Sequence, residues 1–254
     1  MTTPVVLLHA LAADPGMWAA QHGELTAAGH PVVAPDLYRL AERSPGPPQL
    51  DALAAELVAA LDRAGLDRVL LAGCSLGGYL AMAVLRKAPE RVAGLALLGT
   101  RAAGDDPAAR LARLAFAERI TNPAEARLLT DRMVPRLLGA TTRADKPEVL
   151  ARVAAVARLV PGPDIAWAQR AIAGRAPGYD VLTRFTGPAM VLAGTEDELV
   201  PLAEARRTAR VLQQGTLRLV PGAGHLLPLE APRVITSALR SLLDRIRTPQ
   251  RQPG

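Results

Sequence analysis

The sequence predicts an α/β fold, a mostly parallel and doubly wound sheet carrying an inserted run of helices, and three observations predict it. Short apolar runs bounded by turn residues recur at 5–8, 32–34, 69–72, 95–98, 190–193 and 217–220. Helical patterns separate the early runs, so strand and helix alternate. After Thr100 the alternation stops, and for about eighty residues, to Phe185, only helical periodicity remains.

Hydrophobicity in the short runs is continuous rather than alternating, which predicts strands buried on both faces. After the second run, Leu53, Leu57, Val58 and Leu61 make a helical stripe with Asp51 as the expected N-cap, and a second helix is expected over 76–85. The SPGPP segment at 44–48 is a loop signal. In the inserted segment, Leu128, Leu129, Met133, Val134, Leu137 and Leu138 form one apolar stripe, and Val149, Val153, Val156 and Val160 form another. Pro123, Pro147 and Pro163 fall near helix starts, where proline is tolerated, and roughly four helices are expected. Strand and helix return from Gly187 and close on a helix over 234–246. The expected organisation is therefore a core of residues 1–100 and 186–246, a helical cap at 101–185, and a polar, proline-bearing tail at 247–254 that frays.

Composition narrows the function classes. Half of the 254 residues are hydrophobic, enough for a sizeable core, but only 3% are aromatic, so core volume must come from Leu, Val and Ala. The net charge of +6 would suit an anionic partner, yet Lys and Arg are interspersed with Asp and Glu, and nucleic-acid binding is not expected. One cysteine, Cys74, excludes an internal disulfide, and four scattered histidines give no metal-ligand spacing, so no metal is implied. The first residues lack a basic leader with a cleavage site, and no apolar stretch approaches membrane-spanning length, so a cytoplasmic location without membrane attachment is expected. The oligomeric state is left open.

The chemistry centres on Gly73-Cys74-Ser75-Leu76-Gly77-Gly78, which follows a strand-like run and opens a helix-like one. Small residues permit the sharp turn that lifts a serine hydroxyl above a sheet, and the helix N-terminus lends positive charge to a developing oxyanion. With four serines and 21 glycines in the chain, a chance G-x-S-x-G is expected only about 0.03 times, so coincidence is a poor account of it. A serine needs a base, and His225, in the loop PGAGHLLPLEAP after the last strand, is the histidine so placed. His22 and His30 flank a surface helix, and His9 is expected to pack under a loop. The imidazole needs an orienting carboxylate, for which Glu196, Asp197 and Glu198 compete; Asp197 is preferred on the chain order of serine, acid and histidine at strand ends. The bland alternative is an acidic cluster at a helix start. Backbone N–H groups of Leu76 and Leu11 are the expected oxyanion donors.

LLHALAADPGMW, VVAPDL, GCSLGGYLAM, PERVAGLALLGTRA, GTEDELVP and PGAGHLLPLEAP together resemble the α/β-hydrolase superfamily, in its esterase, lactonase and perhydrolase-like branch. The likeness covers nearly all of the chain outside the cap, and the stretch with Asp14 and Trp18 looks like the enol-lactonase group. The resemblance implies the α/β-hydrolase fold, a Ser75, Asp197, His225 triad, no cofactor and a helical cap over the pocket. Three features depart from its pattern: His9-Ala10 stands where His-Gly is usual, Asp36-Leu37-Tyr38-Arg39-Leu40 replaces a glycine-rich turn, and Cys74 occupies the elbow's second position. Cys74 is expected to be an inert buried thiol.

The expected function is hydrolysis of a carboxylic ester or lactone of a small, mainly hydrophobic, uncharged or weakly anionic substrate through an acyl-enzyme on Ser75. Thioester hydrolysis, C–C bond hydrolysis and cofactor-free perhydrolysis use the same triad and stay open. An epoxide hydrolase or dehalogenase would need aspartate at position 75. A ligand-binding protein on this scaffold would be expected to have lost a triad member, and none is missing. The pocket is expected to be lined by Trp18, Leu129, Met133, Val153, Trp167 and Leu226. The cap segment 101–185 carries 14 Arg and Lys against 9 Asp and Glu, or +5 of the chain's +6, an excess that solvated outer helix faces would explain.

Overall fold

The computed structural model describes residues 2–44 and 46–247. Its centre is a six-stranded sheet formed by β1 (Val5–Leu8), β2 (Val32–Val33), β3 (Val69–Cys74), β4 (Val92–Leu98), β5 (Ala189–Gly194) and β6 (Gly215–Val220). The order is β2-β1-β3-β4-β5-β6 and every neighbouring pair is parallel. All six apolar runs are strands. The chain moves outward from β1 to β2, then crosses to β3 and proceeds the other way. The order therefore reverses between β1 and β3, and the crevice beyond their carboxyl ends is where a doubly wound sheet places its ligand.

Strands β1, β3, β4 and β5 are buried along their whole length, as continuous apolar runs require. The two edges differ from the expectation. Val33 of β2 is exposed and β6 is only half-buried, because an edge strand has one neighbour and incomplete helical cover. Between strands lie α1 (Ala19–Ala27), α2 (Leu37–Ala41), α3 (Leu50–Arg63) and α4 (Leu76–Lys87); α1 packs on the closing helix and α3 packs on α4. Asp51 is not the N-cap of α3. Gln49 holds that position, and Asp51 sits in the first turn, where its charge complements the helix dipole.

The inserted segment holds α5 (Pro107–Arg119), α6 (Pro123–Met133), a 3-10 turn over Val134–Leu137, α7 (Ala140–Asp145), α8 (Pro147–Leu159), α9 (Gly162–Ala173) and α10 (Tyr179–Arg184). Four of these helices run 11 to 13 residues, and α7 and α10 are six-residue additions to the expected four. Proline opens α5, α6 and α8, and the side chains of Asp106 and Asn122 cap α5 and α6 by accepting the N–H groups of Ala109 and Ala124. Leu128 leaves the first apolar stripe: it is exposed, while Leu129, Val134, Leu137 and Leu138 are buried. The core resumes through α11 (Leu202–Val211), α12 (Leu227–Glu230) and α13 (Pro232–Arg247). Arg247, expected in the fraying tail, closes α13; the rest of that tail lies outside the described residues. Among the described residues no helix is long and apolar enough to cross a membrane.

Candidate active site

Ser75 occupies the single residue between β3 and α4, at φ +51° and ψ −111°, a conformation that L-residues rarely adopt. The turn is forced by crowding. A Cβ on Gly73 would overlap the Gly77 carbonyl, one on Gly77 would overlap the Leu8 carbonyl, and one on Gly78 would overlap the Thr100 side chain. Glycine at these positions lets α4 press against the ends of β1 and β4. Ser75 N–H donates to the Leu98 carbonyl at 2.9 Å, and the Ser75 carbonyl accepts from Gly78 and Tyr79, so the backbone is held at both sides of the hydroxyl.

His225 comes from the loop after β6. Its Nδ1–H donates to Asp197 Oδ2 at 2.9 Å, which leaves Nε2 as the free ring nitrogen. Gly99, at φ +52°, makes room for this ring: a Cβ there would lie 2.8 Å from the His225 carbonyl oxygen and 3.2 Å from Nδ1. Asp197 is enclosed, and its other oxygen accepts from the N–H groups of Leu199 and Val200 at 2.8 and 3.0 Å. Burial alone would raise its pKa. The His225 hydrogen bond and charge and the two amides outweigh burial and hold the carboxyl below its ordinary value.

The neighbouring acids are engaged elsewhere. Glu196 accepts from the Thr141 N–H and hydroxyl of α7, and Glu198 pairs with Arg143 at 3.2 Å, so both tie the inserted segment to the loop after β5. Of the three competing carboxylates, Asp197 is the one on His225.

The loop after β1 supplies the other half of the site. Ala10 N–H donates to Met17 Sδ and Ala12 N–H donates to the Tyr38 hydroxyl at 2.8 Å, whereas the Leu11 N–H between them has no protein acceptor among the described residues. The Leu76 N–H, at the first position of α4, has none either. His9 is fully buried; its Nε2 accepts the Leu37 N–H and its Nδ1–H donates to the Ala10 carbonyl, a structural role that braces this loop.

A cavity of about 410 Å³ opens over Ser75 and is also lined by His225, Leu11 and Tyr79 on the core side. No hydrogen bond joins Ser75 Oγ to His225 among the described residues; such contacts commonly tighten when substrate enters. Leu129 and Met133 line the cavity as expected, with Phe116 and Ile172 beside them. The other four expected positions do not. Trp18 is fully buried in a 3-10 turn over Pro15–Trp18. Val153 and Leu226 line a separate crevice against Ala12, Ala13 and Met17. Trp167 lies two residues from the cavity-lining Gln169, and on a helix two residues turn the side chain roughly 200° away.

Two charged groups at the site carried no motif. Asp105, fully buried, accepts from Arg101, Arg113 and Arg175 at 2.7, 2.6 and 2.8 Å, and Arg113 also donates to Gln169. Burial would raise the Asp105 pKa, but the three guanidiniums hold it far below the ordinary carboxylate range. Glu230, also buried, accepts the N–H groups of Gly224 and Leu226 on either side of His225 and that of Gly139, at 2.8, 3.0 and 2.8 Å. An acid inside the apolar stretch LLPLEAP was the available signal for Glu230. Among the described residues no group of acids, histidines and cysteines is arranged to hold a metal.

A strand-turn-helix serine, a buried carboxylate–histidine pair and two N–H groups without acceptors among the described residues lie at the carboxyl ends of the strands, the arrangement on which nucleophile-elbow hydrolases are built. The model of the alpha/beta hydrolase fold family matches residues 3–232, and the chain belongs to that family. A thermophilic esterase from Thermogutta terrifontis, solved with malate bound, is 34% identical with a TM-score of 0.89 over 97% of this chain and 91% of that one. The enol-lactonase of Burkholderia xenovorans LB400 shares the fold, at 23% identity and a TM-score of 0.82 over 96% and 92% of the two chains. A protein of Variovorax paradoxus that bears the name "Putative carbamate hydrolase RutD" is 31% identical over 96% of this chain and 93% of its own length. The chain is also 29% identical to a dihydrolipoyllysine-residue acetyltransferase component of the acetoin cleaving system from Pseudomonas putida, of which it spans 64%.

Proposed function

We propose that the protein hydrolyses a carboxylic ester or lactone of a small substrate through an acyl-enzyme on Ser75. One observation carries the reading: Ser75 and His225 face one cavity, with His225 oriented by Asp197 and two unpartnered N–H groups alongside. In the first step Ser75 Oγ attacks the carbonyl carbon while His225 Nε2 takes the hydroxyl proton. The oxyanion is stabilised by the Leu11 and Leu76 N–H groups. Collapse breaks the ester C–O bond, and His225 returns the proton to the departing alcohol. Water, deprotonated by His225, then attacks the acyl carbon and releases the acid and Ser75. Asp197 holds the imidazole in the required tautomer and stabilises its cationic form.

The 34% identical esterase supports the ester assignment, and the similarity to an enol-lactonase fold keeps lactones within it. A carbamate differs at the carbonyl only by a nitrogen substituent, and the near full-length relative named as a carbamate hydrolase favours it as the second reading. The test is labelling with a fluorophosphonate followed by peptide mapping, together with the kinetics of Ser75→Ala on p-nitrophenyl acetate. The adduct is expected on Ser75, and the variant should lose at least about 10³-fold in kcat. Labelling elsewhere, or full activity of the variant, rejects the assignment.

A further inference from the structure

The wall of the cavity over Ser75 is more cationic than a pocket for a neutral ester requires. Four arginines line it, and no aspartate or glutamate does. Arg101 and Arg113 are half-buried on the inner wall, whereas Arg132 and Arg136, one helical turn apart, are exposed at the cavity's edge. The inner pair shares a single carboxylate, Asp105, which Arg175 uses as well. Glu204 adds only a longer-range attraction on Arg101 from outside the lining. The outer pair has no carboxylate within ion-pair distance among the described residues, although other surface arginines of the same segment, such as Arg119, Arg127 and Arg158, do. Arg101 uses one Nη on Asp105, and its Nε–H is buried without any acceptor. Arg175 Nε–H is likewise buried without an acceptor among the described residues, so the guanidinium donors of this cluster outnumber the acceptors that its one carboxylate supplies.

A wholly solvating role does not account for this placement. Solvated arginines lie on the outer faces of helices, where their charge is screened, while Arg101 and Arg113 are withdrawn from water and ordered by Asp105 and Gln169. Tyr79, beneath the stacked guanidinium of Arg175 at 4.2 Å, closes the same wall and keeps the cluster rigid. Apart from Gln169, Ser75 and His225, the rest of the lining is apolar, with Phe116, Leu129, Met133 and Ile172 among it. The cavity thus offers an apolar passage with guanidinium donors to one side and the acyl-transfer machinery at its base.

We propose that the site selects anionic substrates: an ester or lactone that carries a carboxylate on its acyl or its leaving part, held by Arg101 and Arg113 and drawn in by Arg132 and Arg136. This rests on the acyl-transfer reading of Ser75 and narrows its substrate class. Planar guanidinium donors match a carboxylate in two parallel hydrogen bonds, and charge at the mouth raises the local concentration of an anion.

Two matched pairs of substrates test it. Mono-p-nitrophenyl glutarate against p-nitrophenyl pentanoate places the charge on the acyl side, and 4-carboxyphenyl acetate against 4-carbamoylphenyl acetate places it on the leaving group. In at least one pair the anionic member should be favoured about tenfold or more in kcat/KM, mainly through KM, as expected for a charge-assisted hydrogen bond. Added salt should erode that preference, and Arg113→Gln should reduce it about tenfold. Because Arg113 also holds Asp105, the exposed double variant Arg132→Gln/Arg136→Gln is measured beside it and should reduce the preference several-fold. The neutral ester within each pair serves as the internal reference for folding and chemistry. Equal or better hydrolysis of the neutral member in both pairs, or a preference that survives in every variant, overturns the proposal while leaving Ser75 acyl transfer intact. Failure to hydrolyse any of the four esters, with no labelling of Ser75, overturns both.

Discussion

Ser75 carries its hydroxyl above the sheet because β3 must end and α4 must begin within one residue, and the strain at φ +51° is supported by the close packing of Gly73, Gly77 and Gly78. Any side chain at those three positions would push α4 off the strand ends, moving the hydroxyl and the Leu76 N–H together. Asp197 and its neighbours show how position, not charge, decides a role. Asp197→Asn preserves the two backbone hydrogen bonds on Oδ1 but removes the acceptor that fixes the His225 tautomer, so kcat should fall by about 10²- to 10⁴-fold with little loss of folding. Glu196→Gln and Glu198→Gln loosen contacts to Thr141 and Arg143 and should cost less than about tenfold. Steady-state kinetics with circular dichroism of the three variants checks this; the reverse ranking would move the orienting role to another acid.

The helices of the inserted segment decide which side chains meet the substrate, and here local pattern and final geometry part company. Leu129 and Val153 both sit on apolar stripes of sensible spacing, yet α6 turns Leu129 toward the Ser75 cavity while α8 turns Val153 toward Ala12 and Ala13. Leu129→Trp should therefore narrow the cavity and shift preference toward shorter acyl chains. Val153→Phe should leave preference unchanged and cost about 1–3 kcal/mol through overpacking at a buried site. A p-nitrophenyl ester series from acetate to octanoate, with urea unfolding of each variant, separates the two effects; an altered preference in Val153→Phe alone would contradict the assignment of helix faces.

The same distinction explains what was legible in the sequence. Six strands, the strand-to-helix turn at Ser75 and the loop carrying His225 rest on runs or loops of a few residues, and the structure forms each of them. A stripe shows that a helix has a buried face but not what that face is buried against, which is why Trp18, Val153, Trp167 and Leu226 were misplaced. In the Asp105 cluster, Arg175 lies 70 positions from the carboxylate it meets, a separation that no local pattern reveals.

Across the whole molecule, the inserted segment is fastened to the core at the site itself. Glu196 and Glu198 hold α7, Glu230 joins Gly139 to the His225 loop, and Arg175, paired with Asp105 inside the segment, stacks on Tyr79 of α4. The Asp105 cluster also sets an acid limit. Its carboxyl titrates lower folded than unfolded, so its contribution is fully present above the ordinary carboxylate pKa of about 3.9 and is lost as pH falls from there toward the folded value. Asp105→Asn should be about 3 kcal/mol less stable than wild type at pH 7, with the gap narrowing below about pH 4. Urea midpoints at pH 7 and pH 3 measure it, and a gap that is the same at both would mean that Asp105 is not the titrating group.

The central claim, that Ser75 transiently carries the acyl group, is tested most directly by acid-quenching the enzyme during turnover of p-nitrophenyl acetate and measuring its intact mass, with peptide mapping of any adduct. The mechanism predicts a species heavier by one acetyl group on the peptide containing Ser75, both in the wild type and in Asp197→Asn, where acylation and deacylation are slowed together. Turnover with no acetyl-enzyme in either protein, or an acetyl group mapped to Cys74 or to any other residue, would contradict it.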